Sequence, residues 1–74
     1  MGYKKDLENA RTVEDCQVAY ENECTRRLEK YTKKYKDHSR AFTQLVAEDF
    51  SIWFKAQMRL RDLGIMGADI KSKY

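Results

Sequence analysis

Seventy-four residues are enough for one domain, near the lower size at which a single core holds a fold unaided. With 42% hydrophobic and 36% charged residues, the chain is foldable and lacks the composition of a disordered segment. It has no proline and only three glycines, which favours long helices, and no apolar run nears the roughly 20 residues of a membrane span.

The first residues, Met1 to Glu8, show no secretory pattern, and Asp6 stands where a myristoylation motif needs Ser or Thr. The expectation is a cytoplasmic protein. Residues 1–11 are polar, with Tyr3, Leu7 and Ala10 at near-helical spacing, and predict a short helix or an ordered arm.

A helix start is signalled at Thr12, which can cap a backbone N–H, with Asp15 three residues on in place of the usual Glu or Gln. From there Val13, Cys16, Tyr20, Cys24, Leu28, Tyr31 and Tyr35 recur at steps of three and four, forming one apolar stripe. The spacing predicts a helix over about 12–36. Cys16 and Cys24 fall about 12 Å apart on it, beyond disulfide reach, and read as buried reduced thiols.

Residues 36–40 break the pattern, and Asp37 or Ser39 can cap a second helix. So short a connection makes the flanking helices antiparallel neighbours. The second long helix is expected over about 40–63, closed by Gly64. It carries two stripes. Phe42, Leu45, Val46, Trp53, Ala56, Leu60 and Leu63 should face the first long helix, and Phe50, Phe54 and Met58 form a second row, with Ile52 on the other flank. Asp49 falls inside the first stripe, where a carboxylate needs a partner, expected from Arg27 or a tyrosine hydroxyl of the facing helix. Residues 65–74 read as a short apolar tail with a basic end, too short and weakly amphipathic to hold a membrane surface.

The expected fold is therefore all-α: a long antiparallel helical hairpin with short N- and C-terminal helical pieces, or a four-helix bundle as a dimer. Folding the hairpin sets acidic 14–23 beside basic 55–61, and Glu48 and Asp49 beside Arg26, Arg27 and Lys30. Much of the charge is thereby intramolecular.

Chemistry finds little support. A single histidine, His38, sits in the turn, remote from both cysteines, and no metal-ligand spacing or cofactor motif is present. The expectation is a non-enzymatic interaction module without cofactor, such as an adaptor, inhibitor or regulatory subunit. It would bind a partner protein through Phe50, Phe54 and Met58, with Lys55, Arg59 and Arg61 at the rim, or associate with itself. The second stripe could instead be covered by Tyr3 and Leu7, or by Ile65, Met66 and Ile70. The alternative function is nucleic-acid binding by a basic tip of Arg26, Arg27, Lys30, Lys33, Lys34, Lys36 and Arg40.

Overall fold

The computed structural model describes residues 2–74, and Met1 lies outside that description. Three helices succeed one another: α1, Tyr3–Asn9; α2, Val13–Tyr35; and α3, His38–Asp62. No residue described is in a strand. Helices α2 and α3 pack as the expected antiparallel hairpin, in a body of 41 × 23 × 15 Å.

The boundaries of α2 stem from its local chemistry. Thr12 has extended backbone, and its hydroxyl accepts the Asp15 N–H at 3.1 Å. Asp15 reaches back to the N–H of Arg11 at 3.0 Å, one residue before the position a capping box would use. At the other end Lys36 turns the chain at φ +52°, in the left-handed region. Asp37 then caps α3, accepting from the N–H groups of Ser39 and Arg40. The helix thus begins at His38, two residues before the expected start.

A seven-residue helix such as α1 does not persist alone in water. It is held by burial of Tyr3 and Leu7 against the hairpin, and the Tyr3 hydroxyl donates to the Ile52 carbonyl of α3 at 2.6 Å. Arg26 reaches Asp6 at 3.1 Å, and Arg59 Nη2 donates to the Glu8 and Ala10 carbonyls at the end of α1.

Beyond α3 a Schellman motif forms around Gly64 at φ +75°: its N–H meets the Arg61 carbonyl, and the Ile65 N–H meets that of Leu60. The expected C-terminal helical piece does not form. Residues 65–74 run as an irregular strap back along the hairpin. Its backbone polar groups are tied by side chains. Trp53 Nε1 donates to the Ile70 carbonyl at 2.6 Å, and the Ile70 N–H donates to Gln57 at 2.9 Å. The Lys71 N–H donates to Gln17, and Lys73 N–H to the Tyr20 hydroxyl, both within 2.9 Å. Gly64 and Gly67, the latter at φ +78°, explain why the chain leaves the helical path here.

The core is Tyr20, Cys16, Cys24 and Ala19 of α2 against Leu45, Ile52, Ala56 and Leu60 of α3, closed by Tyr3, Leu7 and Ile70. Each of Leu45, Ile52 and Leu60 is fully buried, contributing about 1.5–3 kcal/mol. This corrects the expected facing of α3. Ile52, placed on a flank by periodicity, is in the core and Ala41 is buried with it, whereas Phe42 and Val46 are turned out; Asp49 is buried, as its place inside the first stripe requires. The reason is tertiary: α1 covers the Ile52 side of the hairpin groove and the strap covers the Trp53 side, so the buried arc of α3 is centred between them.

Candidate functional site

The rotation of α3 leaves a continuous row on its outer side. Phe42, Val46, Phe50 and Phe54 recur at intervals of four residues and are 42%, 43%, 70% and 47% exposed. Its aromatic rings are in contact: Phe50 lies 5.9 Å from both Phe54, stacked on it, and Trp53. At the other end, Tyr74 of the strap meets Phe42 edge-on at 5.2 Å. Beside this row runs a second of small residues, Thr43, Ala47 and Ser51, all exposed.

No charge interrupts this face between residues 41 and 54. The only ionic side chains there, Glu48 and Asp49, are occupied by the rest of the protein. Asp49 receives the Tyr20 hydroxyl on one oxygen and the Ser72 hydroxyl on the other, so the expected tyrosine partner is present and a serine joins it. Glu48 accepts from Arg27 at 2.6 Å, Tyr31 at 2.7 Å and Gln44 at 2.6 Å. Burial opposes its ionisation, but these hydrogen bonds and the Arg27 charge prevail and hold it below the usual carboxylate range.

The terminal segments leave the aromatic row open except at Phe42, against which Tyr74 packs. Tyr3 and Leu7 are buried at the Ile52 flank, Ile70 lies by Trp53, and Met66 is 92% exposed. Met58 is only partly covered. With Phe54, Lys55 and Arg59 it lines an open cleft of about 470 Å³ against Tyr3 and Leu7 of α1.

The residues expected at the rim separate. Arg59 is spent on the carbonyl end of α1, and its Nε is buried without an acceptor. Lys55 stands in the α1 cleft, and Arg61 is exposed one heptad beyond Phe54. Phe42 and Val46, assigned to the core by periodicity, belong instead to the exposed row. The signal that would have found them is the uninterrupted four-residue spacing from Phe42 to Met58, beside a row that is uncharged as far as Ser51.

The basic tip divides in the same way. Arg26 pairs with Asp6 and Glu23, and Arg27 with Glu23 at 2.7 Å and Glu48, so both are neutralised. Lys30, Lys33, Lys34, Lys36 and Arg40 are exposed and form no ion pair among the described residues. Tyr31 is held by Glu48, and Lys34 Nζ sits 5.3 Å from the Tyr35 ring centre.

Cys16 and Cys24 are both unbridged and fully buried, and burial pushes both thiols above their ordinary value, away from the reactive thiolate. No helix of the described residues is long and apolar enough to cross a membrane. Comparison with protein-family models, curated proteins and solved structures gives no match, so the surfaces are read from their own chemistry.

Proposed function

We propose that this chain is a small non-enzymatic protein-interaction module, of the adaptor, inhibitor or regulatory-subunit kind, that docks a protein on the outer face of α3. The observation that carries this reading is the uncharged row Phe42, Val46, Phe50 and Phe54, open to solvent on a chain where 36% of residues are charged. Contiguous aromatic surface of this kind marks interfaces, because removing it from water is favourable and the stacked rings have little side-chain entropy left to lose. Buried, unpaired thiols suit a reducing compartment, and a cytoplasmic setting belongs to this proposal.

The test is capture of a binding protein from cell extract by the full chain, repeated with Phe50→Glu and Phe54→Ala. Both positions are exposed, so circular dichroism should be unchanged. Loss of about 2 kcal/mol or more of binding free energy is expected for a ring acting as an anchor. Equal capture by all forms would show that the face is not used.

A second reading has one observation in its favour, the unpaired cations Lys30, Lys33, Lys34, Lys36 and Arg40 at the hairpin tip. As a nucleic-acid contact, this tip would bind in a steeply salt-dependent way, weakened by Lys33→Glu with Lys34→Glu. Binding to DNA or RNA that ignores either change would remove it.

A further inference from the structure

We infer that the occupant of the α3 face is a second copy of this chain, crossing it antiparallel about a twofold axis near Phe50. The inference rests on the proposed docking role of that face and names its partner.

Three features of the face favour a copy of itself. The first is shape. The large row Phe42, Val46, Phe50, Phe54 lies beside the small row Thr43, Ala47, Ser51, both along the four-residue ridge direction of the helix. Two such surfaces mesh when each large row enters the other's small-residue groove, at a crossing angle of about −50°. Phe50 of each copy then lies over Ala47 and Ser51 of the other, and Val46 and Phe54 flank it. A twofold interface requires this self-complementarity.

The second is charge. With Glu48 and Asp49 both satisfied on the inner side, two copies of the face meet without burying any ionic group. The same absence leaves nothing to orient or select a charged partner along residues 41–54. Lys55 and Arg59, the cations that could have framed the row, are turned to the α1 side.

The third fixes the orientation. Each hairpin carries Lys30, Lys33, Lys34, Lys36 and Arg40 uncompensated at one end. A parallel pair would bring two such tips together, whereas an antiparallel pair sets them at opposite ends of the assembly, where they do not repel. At a steep crossing the helix ends splay, so Arg40 and Arg61 stay in water. The three phenyl rings supply roughly 300 Å² per copy, the core of a small interface, and the exchange is therefore one that concentration can drive.

Sedimentation equilibrium of the purified full chain over roughly 1–300 μM tests this. The mass should rise from 8.8 kDa toward twice that value. Phe50→Glu, which puts charge into the contact, and Ala47→Arg, which fills the groove while keeping every ring, should both stay at 8.8 kDa with unchanged helicity. A spin label at Ser39→Cys, the native thiols being buried, should report a tip-to-tip distance of about 30 Å for the antiparallel pair and under about 20 Å for a parallel one.

A mass that stays at 8.8 kDa throughout overturns the inference, as does a dimer indifferent to both substitutions or one with adjacent tips. If the chain remains monomeric while capture of another protein still depends on Phe50, only the identity of the partner is wrong. If neither depends on Phe50, the docking role of the face falls too.

Discussion

Tyr20 of α2 donates its hydroxyl hydrogen bond to Asp49 of α3 in the middle of the hairpin, and the carboxylate's second oxygen takes the Ser72 hydroxyl of the strap. The Tyr20 oxygen in turn accepts the Lys73 N–H at 2.8 Å. One polar junction thus joins both long helices and the C-terminal segment. Burial, then the bond to Asp49, raises the Tyr20 hydroxyl above the ordinary tyrosine value, because both favour the protonated, donating form.

Tyr20→Phe leaves the ring in place and deletes one donor to a buried carboxylate and the acceptor for Lys73. A loss of about 1–3 kcal/mol is expected, read as a lower urea midpoint with unchanged slope. A loss under about 0.5 kcal/mol would mean that Ser72 or water satisfies Asp49 alone.

The strap depends on Ile70, which is 3% exposed and adjoins the lone tryptophan. Ile70→Ala should cost about 2 kcal/mol or more through lost packing and the cavity left behind. Trp53 emission should shift to the red and become more accessible to iodide. Stability lost without any change in emission would show that the strap stays seated.

Glu48 gives the fold an acid limit. Its folded value lies below the ordinary glutamate value of 4.5, so its contribution is complete above that pH and fades as pH falls through the folded value. Urea midpoints of wild type and Glu48→Gln should therefore differ most near neutrality and converge as pH falls below 4.5 and through the folded value. A gap that stays constant with pH would show that the glutamate acts by packing or neutral hydrogen bonds.

Lys36 occupies a left-handed position at φ +52°, where a side chain is strained and glycine is not. Lys36→Gly should stabilise the hairpin by about 0.5–1 kcal/mol, the relief of strain outweighing the added freedom of the unfolded chain. A raised melting temperature is the readout. A lowered one would mean that the lysine contributes contacts beyond its backbone.

Much of this architecture is local and is readable from residue order. The Thr12 and Asp37 caps, the turn at Lys36 and the stop at Gly64 act through groups a few residues apart, so helix limits can be drawn from them to within two residues. The stripe of Cys16, Tyr20 and Cys24 lies in the middle of α2's apolar arc, and it is buried as periodicity requires. Glu48 and Asp49 are also legible as groups that need partners on α2. The C-terminal strap is not, because its bonds to Trp53, Gln57, Gln17 and Tyr20 join residues far apart in the chain.

Residue order alone dictates an antiparallel pair of long helices, their caps and turn, and more apolar surface on the second than one neighbour could cover. A helix whose apolar residues span more than half its circumference offers several equivalent facings, so periodicity leaves its rotation open. Packing fixes that rotation. With α1 wedged at Ile52 and the strap seated at Trp53, the two lateral grooves of the hairpin are filled, and α3 turns the row from Phe42 to Phe54 to the outside. Those two segments sort the aromatic residues into core and surface, because burying Tyr3, Leu7 and Ile70 in the two grooves removes their apolar surface from water there and leaves the outer face uncovered from Val46 to Phe54.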